Sequence, residues 1–459
     1  MRTTDPCVAR TRAPGASGEL RIANCELRIA APILDSPPGG NTVRPLRPLD
    51  PVLPLDPTTQ QRVTAGLAGP ARRRADAGLA DFSAMAMPGE KEEAWRYVDL
   101  SLDLAEYAVV ETPGEPMAAM DGGVPGVVGR AVNVDGHTIL AEGGDGIGVT
   151  AFRDDQAELE LGAPSDRIDA LHDAFACDGV TVSAARAAAG TVLVDLQAVT
   201  PGVAASPRVV VSAAEGASLS VIVLQHSPDG MAALMVPSFE VSAEAAARIS
   251  LTVVQTWGDE TIAVARHRMR AGRDASVGLA EAGFGGRFSR LHLGVELVGN
   301  GAGASIVGAY FGDREQTLDY RYFMRHGALS TTSEMFLKGA VADHARSVFS
   351  GLIRIEPEGQ KSNAHQTNRN LVLSDGAEAH SVPNLEILAN DVRCGHGSAV
   401  GPLDEEQRYY LMSRGLDPDR ADRLQVKGFF EDALVRFPHR ELDAMLRGIA
   451  MAKYARVTA

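Results

Sequence analysis

Cys394 and His396 are the two side chains whose types and spacing could do chemistry. They lie in the segment Asp391-Val392-Arg393-Cys394-Gly395-His396-Gly397-Ser398. Thiolate sulfur and imidazole nitrogen both ligate iron or zinc. On an extended strand, residues two apart share a face, so this spacing would hold the two donors side by side. Arg393 next to the thiol is expected to favour its ionised form, and glycines 395 and 397 leave room for a partner backbone or a cluster to approach. Two donors do not complete a tetrahedral site. His344, His365 and His380 fall in the same strand-rich region and are the in-chain candidates to complete it, although each taken singly has the character of a loop or surface histidine. The competing reading of the pair is structural, a thiol buried as a small apolar group beside a hydrogen-bonded histidine.

Little else in the chain points to catalysis. There is no G-x-x-x-x-G-K-[ST], so no nucleotide-hydrolysing loop, and neither H-E-x-x-H nor G-x-S-x-G occurs. Gly146-Ile147-Gly148-Val149-Thr150-Ala151 fits G-x-G-x-x-A but lacks a βαβ setting with a following acid, which makes it a turn. The chain is not expected to be an enzyme. Its 44 Lys plus Arg against 59 Asp plus Glu give a formal charge of −15, which disfavours nucleic acid and acidic membrane surfaces as partners. The longest apolar run, Leu219 to Leu224, is strand-sized and far short of a membrane span. Four cysteines spread over 459 residues match a reducing compartment, so a cytoplasmic location is expected.

The elements that must position Cys394 and His396 follow from the texture of the chain. Residues 1–57 carry 10 of the 25 prolines and few large apolar side chains, and disorder is expected there. Residues 58–190 are expected to form an N-terminal helical and mixed domain, with Val63, Leu67 and Ala71 at helical spacing and a further helix around Ala170 to Ala176. From 191 to 402 the pattern changes to short β-branched strands punctuated by Gly, Asp and Asn. A small residue precedes a new strand at Ala217-Ser218, Ala247-Arg248, Ala275-Ser276 and Ala304-Ser305, at spacings of 30, 28 and 29 residues. Such a period suits stacked turns of a parallel β-helix, with a β-sandwich as the alternative. Residues 403–459 are expected to be helical, opened by Asp404 with Gln407 three residues on and broken at Gly415 before Asp417-Pro418. Phe429, Phe430, Ala433, Leu434 and Phe437 form one apolar stripe, and Leu442, Met445, Leu446 and Ile449 a second. A cap over the solenoid end would use them; a docking face for a partner is the other use.

Several phrases together resemble the SufB/SufD family of the SUF iron–sulfur cluster assembly system. They are Gln366-Thr367-Asn368-Arg369-Asn370-Leu371, Pro383-Asn384-Leu385-Glu386-Ile387-Leu388-Ala389, Arg393-Cys394-Gly395-His396-Gly397, Gly401-Pro402-Leu403-Asp404 and Tyr410-Leu411-Met412-Ser413-Arg414-Gly415-Leu416, with Glu93-Ala94-Trp95-Arg96-Tyr97 upstream. The likeness runs from about residue 80 to the end. Cys-Gly-His-Gly where SufB-type members carry a Glu-His-Glu-Ala-like phrase, and the scarcity of core thiols, resemble the SufD branch. Asn390, Arg393, Gly395 and Ser398 depart from the usual wording of that phrase, but the Cys and His are kept. The resemblance implies a mainly β fold, a right-handed parallel β-helix between an N-terminal α/β region and C-terminal helices. It implies a complex with a SufB-like paralogue through the β-helix and with a SufC-like ATPase through the C-terminal helices. His396, with Cys394 beside it, is then the implied site for transient iron or cluster shared with the partner, with nothing stably bound. A SufB-type cluster scaffold and a β-helix enzyme acting on polysaccharide are the alternatives.

Overall fold

From Gly179 to Gly401 the chain alternates between strands of two sheets that wind into a parallel β-solenoid of about eight turns. The computed structural model describes residues 53–118, 123–156 and 162–457, and residues Pro51–Ala459 form one compact unit. The expectation of disorder for 1–57 falls mostly outside the described residues. At its end, Leu53 is already bridged to Val109.

Strand starts stack in register: Ser218 on Arg248, Arg248 on Ser276, Ser276 on Gly303, Gly303 on Thr332, Thr332 on Asn363, and Asn363 on Arg393. Two positions before each of these strands except the last the backbone turns through the left-handed region, at Gly216, Ala246, Asp274, Gly301, Ser330 and Lys361, with φ between 54° at Asp274 and 74° at Gly301. A tight corner needs that conformation, and Gly and Asp adopt it at least cost. Between corner and strand sits a small, fully buried residue, as at Ala217, Ala247, Ala275 and Ala302. Three of the four small-residue positions expected from the sequence are these corners. The fourth is Ala302 and not Ala304, because a shift of two residues keeps the same face and leaves the apolar pattern unchanged.

Between the sheets the early turns are filled by aliphatic side chains such as Val192, Val194, Val221, Val223, Leu251, Val253, Val209, Val211 and Val241. Helices cover the outer faces. Near the N-terminus lie α1 (Pro57–Val63), α2 (Gly69–Ala84), the single turn α3 (Phe152–Asp155) and α4 (Arg167–Phe175). Phe82, Ile168, Leu171 and Phe175 pack with Val236, Ile262, Val264 and Phe288 on the outside of the second sheet. Ion pairs reinforce the contact: Arg74 reaches both Asp173 and Glu240 at 2.8 Å.

The C-terminal helices are α5 (Glu405–Ser413), α6 (Pro418–Leu434) and α7 (Asp443–Val457). Asp404 caps α5 by accepting from the Gln407 amide at 3.0 Å, and Asp417 caps α6 through Arg420. Phe430, Ala433, Leu434, Phe437, Leu442 and Leu446 are buried against Ile222, Leu224, Ala280, Ala309 and Phe311 on the outside of the first sheet. Lys453 is tied beneath α7 to Asp313 at 2.7 Å and to the Phe284 carbonyl at 2.6 Å. A cap over the solenoid end is therefore the wrong placement for these stripes. They lie along its flank, because the outer face of the first sheet is itself apolar and wide enough to bury both.

Candidate functional site at the last solenoid turn

Each sheet ends on a strand with a neighbour on one side only: Arg393–Gly401 in the first sheet and Glu378–Ile387 in the second. On Arg393–Gly401, Cys394 lies over Ala364 and His396 over Gln366. Both of those neighbours are buried in the solenoid interior, so Cys394 and His396 share the inward face. Cys394 is half-buried and packs against the interior cluster. His396 is exposed, since no described turn lies beyond it. Ser398 on the same face meets Ser381 of the opposite sheet, Oγ to Oγ, at 2.8 Å and closes the last turn.

Burial pushes the Cys394 thiol up, with a partial offset from the Gly395 backbone. The expected help from Arg393 is not there, because strand alternation points that side chain outward, away from the sulfur. The other candidate donors are dispersed. His365 lies on the outer side of the same sheet, where a Cβ on Gly395 would come within 3.4 Å of its Nδ1. His380 stacks on Tyr97 at 4.7 Å outside the second sheet, and His344 sits at a corner under Gly376. Among the described residues, no three His, Cys, Asp or Glu side chains are gathered as a metal site. What the chain offers is two adjacent donors on an uncovered end.

Toward this end the interior turns polar. Tyr310 donates to Asn370 Oδ1 at 2.6 Å and accepts from Asn368 at 3.1 Å, while Gln366 donates to the Asn384 carbonyl at 2.9 Å. Gly339 and Gly283 make space for the rings: a Cβ there would stand 1.9 Å from Tyr310 and 2.0 Å from the Tyr320 hydroxyl. Deeper in lies Glu281, pushed up to about 8 by burial, with Oε2 lacking any hydrogen-bond partner. No motif in the sequence marks this column. Its signal was available: Val277, Leu279 and Glu281 alternate on one face, and a carboxylate at a core position is out of pattern.

Also missed was the use of Glu93-Ala94-Trp95-Arg96-Tyr97. Arg290 and Arg321 on the outer face of the second sheet donate to the carbonyls of Ala94 and Arg96 at 2.7 and 2.6 Å. Trp95 lies 3.9 Å above the Arg290 guanidinium, and Asp319 binds both arginines from beneath. The segment is thus laid along the later turns, with Tyr97 reaching the end strand at His380. On the C-terminal side Tyr409 and Tyr410 of α5 are 76% and 57% exposed.

Comparison with known proteins agrees with this arrangement. The family described as SUF system FeS cluster assembly, SufBD core domain, matches residues 196–429. An iron–sulfur cluster assembly SufBD family protein of Mycobacterium bovis is 34% identical over 235 residues, 50% of this chain and 58% of that protein. The cluster assembly protein SufD of Escherichia coli is 33% identical over 145 residues, covering 32% of this chain and 34% of its own. Protein ABCI7 of Arabidopsis thaliana chloroplasts is 28% identical over 244 residues, 53% of this chain and 51% of that one. The match thus covers 58% of the Mycobacterium bovis relative's length and less of the other two. Among the described residues no helix is long and apolar enough to cross a membrane. A parallel solenoid ending on the Cys394–His396 strand, with the family match running across its turns, makes this chain a member of the SufBD family of the SUF iron–sulfur cluster assembly system.

Proposed function

We propose that this chain is a SufD-type scaffold subunit, not itself an enzyme, that joins a SufB-like paralogue through its last solenoid turn. Iron or a nascent cluster is cargo held at that junction, with Cys394 and His396 as this chain's donors. One observation carries the reading: two adjacent soft or borderline donors share the inward face of an end strand, and no further donor among the described residues is gathered there. A tetrahedral thiolate–imidazole site then needs ligands from a second chain. Unpaired strand edges favour the same partner, since they accept another strand by main-chain hydrogen bonding. A SufC-like ATPase docked on the C-terminal helices supplies the driving motion, in the cytoplasm.

Metal binding must displace the proton from a thiol that burial makes reluctant to ionise, so loading should accelerate as pH rises. The test is reconstitution of the three-subunit complex with His396→Ala or Cys394→Ser, reading iron content and cluster absorbance under anaerobic conditions. Each variant is expected to lose most of both; undiminished loading would remove the site. A cluster spectrum from the isolated chain would instead favour the SufB-type role.

A further inference from the structure

Outside the second sheet, away from the last turn, lies a cavity of about 500 Å³ lined by Ser242, Arg268, Arg270, His292, Gly294 and Glu296 among others. Among the described residues its arginines outnumber the carboxylates on its wall, Glu296 being the one acid that lines it. Arg268 is largely withdrawn from water, yet its guanidinium makes a single hydrogen bond, from Nη1 to the carbonyl of its neighbour His267 at 3.1 Å. Among the described residues no carboxylate lies within ion-pair distance of it. Its neighbour Arg266 already pairs with Asp169 and Asp173, each at 3.6 Å. Glu240, beside Arg268 in the sheet, is held by Arg74 at 2.8 Å. Glu296 on the cavity wall pairs with Arg325 at 3.7 Å. Arg270 is exposed at the rim and makes no ion pair among the described residues.

Gly294 shows that the position of Arg268 is accommodated by the fold: a Cβ there would lie 3.0 Å from Arg268 Cδ and 3.2 Å from its Nη1. Burial, together with Arg266, draws Arg268 down to about 10, and burial with Arg268 draws His292 down to about 3. Asp169 acts on both groups and Glu296 and Asp173 on Arg268, but these carboxylates offset the burial only in part. Withdrawing an unpaired cation from water is costly, and a guanidinium presents parallel N–H donors that match an oxyanion two at a time.

We propose that this cavity binds a small oxyanion of the phosphate or carboxylate class, with Arg268 at its floor, Arg270 at its rim, and the Ser242 hydroxyl and His292 imidazole as neutral partners. The volume lies within the range of small-molecule sites.

Thermal unfolding and calorimetric titration of the purified full chain with inorganic phosphate, and separately with citrate, test the assignment against sodium chloride at matched ionic strength. Saturable stabilisation by phosphate or by citrate, absent with chloride, is expected, and the better of the two arms identifies the class. Arg268→Gln should weaken that binding about tenfold or more, the loss of a charge-assisted hydrogen bond. Arg270→Gln, at an exposed position that folding does not need, should weaken it severalfold. In anion-free buffer Arg268→Gln should unfold at the same temperature as the parent or higher, because an uncompensated charge has been removed. No saturable effect from either anion, an effect that survives both substitutions, or a clear loss of stability in anion-free Arg268→Gln would overturn the proposal.

Discussion

At the scale of single residues, what matters is which side chains the strand alternation turns inward. Cys394 and His396 face the interior of an end turn, whereas Arg393 and His365 face outward, so neighbours in sequence are separated by a sheet. Glu281 illustrates the energetic side. Its carboxyl is held near 8 against 4.5 in an unfolded chain. Below about pH 4.5 both states carry the proton; between 4.5 and 8 only the folded state keeps it, so stability falls as pH rises through that window and levels off above it. Glu281→Gln keeps the shape and removes the titration. It should stabilise the protein by about 3 kcal/mol at neutral pH, with little gain near pH 5. Urea midpoints measured at pH 5 and pH 8 would show whether the difference between parent and variant grows with pH as required.

Among the elements, the N-terminal segment around Trp95 depends on charges placed far along the chain. Arg290 stacks on Trp95, donates to Ala94 and binds Asp319, which is fully buried. Arg290→Leu would leave Asp319 to Arg321 alone and should cost about 3 kcal/mol, the penalty of breaking a buried pair from one side. Because the lost contacts also hold residues 94 to 97 against the sheet, that stretch should become sensitive to limited proteolysis before the solenoid does. Cleavage there no faster than in the parent would contradict the role given to the arginine. Helices α6 and α7 are positioned differently, by apolar burial against Phe311 and its neighbours with Lys453 and Asp313 locked beneath. Their stripes are therefore consumed within the chain.

For the whole molecule this division separates the two partner surfaces proposed above. The last turn presents open strand edges and the donor pair, while the tyrosines of α5 are the most exposed large hydrophobic side chains of the C-terminal helices. Removing residues from 404 onward would uncover the outer face of the first sheet and lead to aggregation, so it cannot isolate ATPase docking. Tyr409→Glu with Tyr410→Glu should abolish co-purification of the ATPase while leaving the thermal midpoint within a degree or two, because both side chains are exposed and contribute little to folding. Retention of the ATPase by that double variant would move the docking surface elsewhere.

The sequence by itself determined the stacked architecture, three of the four small-residue corner positions, the helix caps at Asp404 and Asp417, and the adjacency of Cys394 and His396. All of these depend on periods of two or of one turn, or on residues within a few positions of each other. Only the tertiary structure decided that the C-terminal stripes lie along the flank, that His344, His365 and His380 are dispersed, that two distant arginines receive the Trp95 segment, that Glu281 is buried and that Arg268 lies on a cavity floor with no ion pair among the described residues. Those facts depend on which turn stacks on which, and a register that can slip by two residues without disturbing the apolar pattern is not written in the pattern.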